Sequence, residues 1–546
     1  MKVLLIQPPV RDFYQTRIRT QPIGLAYLAA SLRLEGFEAL ILDCQTGRQH
    51  AIPLPPQFAH LQDIYPSDDR SPFRLYSGFY HFGMGWEEIR QAIDASKPDV
   101  IGISSLFTPY HGEALKVARI VKEGGPSRVV VMGGPHVSGD PEGVLNSGRV
   151  DYVVLGEGEV RLPRLLKAIR EKGCVSDMEG IGYCNGGKIR INPVEGSIDH
   201  VNSIPWPARD LLEMDRYRIG KRRSTMLVTS RGCPHHCAYC SAYLVMGNRF
   251  RPRSPEAVVE EMVDCQRRYH ITSFDIEDDN FTFDLGRAKD LMNLIIETFG
   301  ERALYLSAMN GVSFASLDAE LLGLMRRAGF GAVNLSFVST DALTRKTMKR
   351  PGADPAYFDQ IVESAVQVGL AATAYAIFGL PGQTIPEMVD TLIYLMARRV
   401  LIGPSIYYPS PGTALMEHCR REGLLPPDMS QWRSSAFPVE TRDFDRLDLV
   451  TLFRLTRLIN FIKGQMGHGE IPDGLSWRDL FLWSNNMGQE GPDSWPHLLH
   501  LFFEERSFFC LIRGPGGDLS VKRIPSSRRV IDLFLDKGLA QIILMA

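Results

Sequence analysis

Cys233-Pro234-His235-His236-Cys237-Ala238-Tyr239-Cys240 decides how the rest of this chain is read. It has the form C-x3-C-x2-C and follows an apolar run, Met226-Leu227-Val228, that ends in Thr229-Ser230-Arg231-Gly232. The run reads as a buried strand, and the cysteines as the loop at its carboxyl end. Three thiols this close in sequence share one metal centre or serve nothing in common. Structural zinc takes four protein ligands, with cysteines in paired motifs, and no second pair occurs here. Three cysteines on one loop suit a [4Fe–4S] cluster with one iron open to an exogenous ligand, since thiolates are the usual cluster ligands.

Composition bounds the rest. The chain has 546 residues, too many for one core, so two to four domains are expected. It is 44% hydrophobic and 23% charged, an ordinary globular balance. A net charge of −2, without long single-sign blocks, disfavours nucleic acid as the main partner. Nine cysteines occur. Those outside the trio are scattered, which argues against a disulfide framework and for a reducing cytoplasm. Met1–Ile6 runs straight into Gln7-Pro8-Pro9 and reads as a strand, not a signal peptide. No apolar run approaches the length of a transmembrane helix.

Residues 1–195 alternate strand and helix signals, with strands expected at Val3–Gln7, Ala39–Asp43, Val100–Ser104, Val129–Met132 and Val153–Leu155. Short apolar runs separated by helices predict a doubly wound parallel sheet, whose ligands sit at the carboxyl ends of strands. Those ends carry Ser104-Ser105, Gly133-Gly134 and Gly156-Glu157. The fingerprint G-x-G-x-x-G is absent after the first strand, which disfavours a nicotinamide cofactor. An aromatic- and proline-rich insertion fills residues 45–95; it either covers a cofactor or packs as a surface loop. Residues 196–222 are a proline-broken linker. Six strand–helix pairs follow in 223–424, with strands at Thr225–Ser230, Ser273–Ile276, Ala303–Ser307, Ala332–Phe337, Ala371–Phe378 and Ile402–Tyr407. They predict a partial (βα)6 barrel whose active end holds the cysteine loop. Residues 425–546 lose the alternation and read as a mainly helical domain with an aromatic core. Arg249, Arg251 and Arg253 read as a solvated face, Cys265 as a small core residue, and His235 and His236 as solvent-facing spacers.

The cysteine motif, with Tyr239 before its last cysteine, resembles the radical S-adenosylmethionine superfamily. That resemblance implies that Cys233, Cys237 and Cys240 hold the cluster. Its open iron would chelate S-adenosylmethionine, and reduction would yield a 5′-deoxyadenosyl radical. It places cofactor contacts at Glu277, Asp278 and Asp279 after the second strand; the bare residues there read equally as a helix cap. It places others at Ser339, where the chain has Val338-Ser339-Thr340 in place of E-S-G, and at Gly379, Pro381 and Gly382 of Gly379-Leu380-Pro381-Gly382-Gln383-Thr384. The first 195 residues resemble the cobalamin-binding domain found before many such barrels, through Pro22-Ile23-Gly24-Leu25, Pro98–Gly102, Gly133-Gly134-Pro135-His136 and Gly156–Glu159. This implies cobalamin beside Ser104, Ser105, Gly133, Gly134, Gly156 and Glu157. D-x-H-x-x-G is missing, so no histidine of that motif ligates cobalt.

Together the resemblances imply a cytoplasmic, cobalamin-dependent enzyme. It would methylate an unactivated carbon, or phosphorus, of a small-molecule substrate, with electrons from a donor such as flavodoxin or ferredoxin. Ring closure or rearrangement with the same cofactors is the alternative. A non-catalytic cobalamin sensor with a structural metal is the alternative of another class.

Overall fold

The computed structural model describes residues 1–13, 21–350, 354–487, 494–513 and 518–546. The first sheet contains β1 (Lys2–Gln7), β2 (Glu38–Asp43), β3 (Val100–Ser104), β4 (Val129–Gly133), β5 (Tyr152–Val154), β6 (Ile181–Asn185) and β7 (Lys188–Ile191). Their spatial order is β7-β6-β5-β4-β3-β1-β2. β1 to β5 are parallel, and β6 and β7 run antiparallel at the edge. Val3 and Leu5 pack with Leu25 and Leu162 on one face, and Leu4 and Ile6 with Ile89 and Val117 on the other. Both faces are covered by helices, so the strands are apolar throughout. Strand order reverses between β1 and β3, which opens a crevice at their carboxyl ends.

The barrel holds β8 (Arg222–Leu227), β9 (Ser273–Ile276), β10 (Tyr305–Ser307), β11 (Ala332–Val338), β12 (Ala371–Phe378) and β13 (Leu401–Ile406). Two parallel ladders, β8-β9-β10 and β11-β12-β13, are joined by the bridges Leu306–Phe330 and Val312–Leu335. Its helices begin where the side chains of Ser254, Asp284, Asp318, Asp354 and Thr384 accept a hydrogen bond from a first-turn backbone N–H. Such caps satisfy donors that the helix leaves free. Among the described residues no helix is long and apolar enough to cross a membrane.

The C-terminal region has helices at Arg446–Gly467, Trp477–Met487, Trp495–Glu505 and Arg528–Gly538, and a hairpin of β14 (Phe508–Arg513) and β15 (Leu519–Ile524). Trp477, Phe502, Phe508 and Phe534 are buried, so the aromatic density is core. The insertion packs against this region. Phe58, Tyr65, Tyr76 and Phe79 share a core with Phe437, Phe453 and Leu511, and Arg70 N–H donates to Leu511 O (2.7 Å).

Candidate active site at the facing strand ends

The cysteine loop lies at the carboxyl end of β8. Cys237 is buried and Cys233 and Cys240 are half-buried. Burial raises the Cys233 thiol and takes Cys240 up to about 11, and in each case neighbouring thiols of the trio add to the rise. Such thiols suit a positive centre, because a coordinated thiol is deprotonated. Among the described residues no three His, Cys, Asp or Glu side chains gather tightly enough for a single ion. The trio is thus more open than a mononuclear site. The side-chain amide of Asn280 reaches Cys233 Sγ at 3.7 Å, and hydrogen bonds to sulfur tune a cluster's potential. Asn280 ends the acidic run noted in the sequence and was not separated from it there.

The run divides by task. Asp278 is buried and accepts from Thr229 N–H, Thr229 Oγ1 and Ser230 Oγ, each at 2.6 Å. It fixes the chain entering the loop, and its oxygens are turned to that backbone. Asp279 accepts from Gly232 N–H (3.1 Å) and is pushed up to about 6, chiefly by burial. Glu277 accepts from Asn310 Nδ2 (2.7 Å) and rises to about 8, because burial and the Asp275 carboxylate both oppose its charge. Glu277 is therefore held toward its neutral form at pH 7, and a cation bound beside it would favour loss of its proton to solvent.

The solvated face expected for the three arginines forms at Arg249, which is exposed and pairs with Asp199, and not at the other two. Arg251 and Arg253 are buried, at 4% and 7% exposure. Arg251 pairs with Glu157 (2.9 Å), and Arg253 with Glu261 (2.5 Å), which also holds Arg209 (2.7 Å). Arg231, two residues before Cys233, pairs with Glu157 (2.9 Å) and Glu159 (2.6 Å) and lies over the Tyr27 ring. Glu157 was expected to touch cobalamin. Its two oxygens instead accept from Arg231, Arg251 and Ile198 N–H. Buried charges persist only when paired, and these pairs join the first sheet to the cysteine loop.

The two sets of strand ends face each other. The short helix Pro135–Gly139 after β4 packs on Tyr243–Met246 after the cysteine loop. A Cβ at Gly139 would lie 2.6 Å from Pro411 O, so only glycine allows that approach. Within the first domain, Gly134 (φ +113°) brings its backbone against Ser105, where a Cβ would meet Ser105 O at 2.7 Å. Ser105 Oγ pairs with His111 Nδ1 (3.1 Å), and Thr108 Oγ1 with His136 Nδ1 (3.1 Å). The two ring centroids lie 4.0 Å apart, with the planes tilted by 37°. Burial lowers them to about 3 and about 4, so both are neutral. His136 Nε2 is buried without a hydrogen-bond partner, an orphan a ligand can satisfy. A cavity of about 30 Å3 lies at the β1 and β3 ends, lined by Gln7, Ser104, Ser105 and Phe107. Gln45 lines both it and a cleft of about 490 Å3 bounded by Asp43, Met226 and Asp275. The close backbone approach at Gly134 and the orphaned His136 Nε2 suit a ligand that lies against the backbone and hydrogen-bonds there.

Other expected contacts vary. Ser339 is 1% exposed and donates to Glu387 (2.9 Å). Val338 before it has φ +74° at a register shift in β11. Tyr239 packs with Leu380, Met348 and Tyr407. That puts the aromatic of the motif against the Gly379–Gly382 bend, whose Leu380 N–H is held by Gln383 (2.9 Å). Gly382 is exposed. His236 is exposed and His235 half-buried against Phe283. Cys265 is core.

The model of the B12 binding domain matches residues 78–166, and that of the Radical SAM superfamily residues 227–395. The chain is 30% identical to an uncharacterized methyltransferase of Pyrococcus horikoshii over 78% of its own length and 84% of the relative's. It is 29% identical to the cytidylyl-2-hydroxyethylphosphonate methyltransferase of Streptomyces wedmorensis, over 79% and 84%. The solved structure of the radical S-adenosylmethionine methyltransferase TsrM from Kitasatospora setae, with cobalamin and [4Fe–4S] cluster bound, shares the fold. Its TM-score is 0.59 at 19% identity, over 77% of this chain and 78% of that one. With a B12 binding domain set before a radical barrel and a relative this similar along most of its length, the chain belongs to the cobalamin-dependent radical S-adenosylmethionine enzymes.

Proposed function

We propose that the chain transfers a methyl group to an unactivated carbon, or to phosphorus, of a small-molecule substrate. The observation that carries this is the meeting of the two strand-end faces at Gly139–Pro411 and Glu157–Arg231. A methyl donor held by one domain must reach a substrate activated by the other, and the relatives named above are methyltransferases. When bound, the cluster and S-adenosylmethionine supply a radical and cobalamin supplies the transferable methyl group; the protein supplies position and exclusion of water.

The residues divide that work. Cys233, Cys237 and Cys240 hold the cluster, and Asn280 donates to the first sulfur. Glu277 and Asp279 take the cationic end of S-adenosylmethionine, and Tyr239 with the Gly379–Gly382 bend lines its adenine. Ser104, Ser105, Gly133, Gly134 and Gly156 cradle cobalamin, with His136 Nε2 meeting its tail. Glu157, Asp278 and Ser339 hold the frame. The working units are 1–195 for cobalamin, 223–424 for the radical step, a linker at 196–222 and a cap at 425–546. An external one-electron donor and a cytoplasmic setting complete the reading, since the other cysteines are scattered thiols.

The test is anaerobic reconstitution with iron, sulfide and cobalamin, then assay for S-adenosylhomocysteine and 5′-deoxyadenosine with candidate metabolites. Methyl transfer makes both. 5′-Deoxyadenosine without S-adenosylhomocysteine would assign ring closure or rearrangement instead.

A further inference from the structure

The cysteine loop has two flanks, and only one belongs to the cobalamin side. On that flank Arg231 and Arg251 are buried against Glu157 and Glu159. On the other, the loop rests on Leu343–Arg350. Ala238 N–H donates to Met348 O (3.0 Å), and Cys237 Sγ lies 3.8 Å from Lys349 O. One backbone turn therefore separates a cluster thiol from the protein surface.

That turn carries four cations in six residues: Arg345, Lys346, Lys349 and Arg350. None of them forms an ion pair among the described residues. The Arg345 guanidinium donates to Ser339 O (2.9 Å), and Arg350 to Ser336 O (3.4 Å). Lys346 and Lys349 are exposed, and beside them Leu343 is 71% exposed. The flanking acids Asp341 and Asp354 cap the helices that follow them and form no ion pair with the run. Exposed cations such as Lys172 and Lys221 also form no ion pair among the described residues; what sets this run apart is four cations in six residues beside a cluster thiol. A solvated face needs no exposed leucine and no adjacency to a redox centre. An unpaired cationic rim around an apolar contact, one turn from the cluster, has the anatomy of a transient docking surface.

We propose that the Leu343–Arg350 face docks an acidic one-electron carrier protein and is where electrons enter the cluster. The proposal rests on the cluster reading above and adds to it the partner's chemistry and its place of binding. The carrier loses one electron and the cluster gains one; no bond forms or breaks. Lys346 and Lys349 steer the carrier by charge, and Leu343 gives the encounter its apolar contact.

The test uses the reconstituted full-length protein and follows bleaching of the cluster absorbance by stopped flow. The probes are flavodoxin hydroquinone, a reduced [2Fe–2S] ferredoxin, and dithionite. In the Lys346→Glu/Lys349→Glu variant the carrier-driven rate should fall about tenfold or more at low salt, a typical size for lost steering. Added salt should slow the wild type and speed the charge-reversed variant, because it screens attraction in the first and repulsion in the second. The dithionite rate should match the wild type's, which shows the cluster and fold intact. Lys346→Ala/Lys349→Ala should fall between the two. A drop with flavodoxin alone, or with ferredoxin alone, supports the surface and names the carrier. Equal carrier-driven rates in wild type and charge-reversed variant overturn the docking proposal and leave the cluster reading standing. A protein that takes up no iron overturns both.

Discussion

Two joints hold the domains together, and they are made of different material. At the cysteine loop the contact is ionic. Glu157 and Glu159 from the first sheet hold Arg231 and Arg251 from the barrel, all nearly excluded from water. At the far side the 45–95 insertion meets the C-terminal region through aromatic rings. The Phe13 ring lies within 6.1 Å of Phe58, Tyr65, Tyr76 and Phe79, while Phe437 closes on Tyr65 and Phe453 on Tyr76. Two buried cations sit there: Arg433, over Phe58 and Tyr110 and paired with Asp12 (3.3 Å), and Arg454, which donates to Ile64 O (2.7 Å). Apolar burial is non-directional and supplies most of the free energy of association. Paired buried charges add little net stability and tolerate few geometries. The aromatic joint thus holds the halves together while the ionic joint sets how they face.

Each joint can be broken separately. Phe58→Ala removes a ring 1% exposed at the centre of the aromatic joint. It should cost about 3–5 kcal/mol, as buried Phe truncations do, read as a lowered urea midpoint with faster hydrogen exchange in both 53–79 and 446–467. Glu157→Gln keeps shape and volume but leaves Arg251 without its carboxylate. Breaking a buried pair this way costs about 3 kcal/mol, and exchange should speed in 229–253 while 446–467 stays protected. If Glu157→Gln instead loosens 446–467 as much as 229–253, the two joints are one cooperative unit and the division fails.

Glu277 sharpens the contrast from within the ionic side. Glu157 has two arginines; Glu277 has Asp275 beside it and is held up to about 8. Its folded value lies above the ordinary carboxylate range, so the free protein carries this proton at neutral pH. A ligand ammonium expels it. Affinity for S-adenosylmethionine should therefore strengthen with pH, by up to about tenfold per unit, and level off above about 8. Calorimetry in buffers of differing ionisation enthalpy should show a proton released below that value. Glu277→Gln should flatten the profile; a slope that survives the substitution assigns the proton elsewhere.

Much of the frame was legible because its causes are local. Ser273–Ile276 and Ala371–Phe378 form the strands expected of them, since apolar runs bounded by glycine and capping residues have few other uses. The cysteine loop fell at a strand end for the same reason. What the sequence concealed lies in contacts between distant residues. Arg251 and Glu157 are 94 positions apart, and nothing local distinguishes a paired arginine from a solvated one. Ser339 sits at the expected strand end, but its hydrogen bond to Glu387, 48 positions on, has no local signature. The hairpin β6–β7 went unread because it is short and carries few buried residues. The insertion's aromatics signalled burial but not against what, because their partners, Phe437 and Phe453, lie more than 350 residues away in sequence.

The smallest perturbation asks what a neutral hydrogen bond is worth inside the aromatic joint. Tyr65 Oη donates to Ser435 O at 2.6 Å, and both residues are buried. Tyr65→Phe keeps the ring and its contacts with Phe13 and Tyr76. It also leaves one carbonyl short of this donor. A single neutral bond of this kind contributes about 1 kcal/mol, a fraction of what Phe58→Ala removes. If apolar burial carries this joint, the urea midpoint should move only slightly and exchange in 53–79 should barely change. A loss as large as that of Phe58→Ala would mean that this joint too is held by its polar geometry, and the distinction between the two would have to be given up.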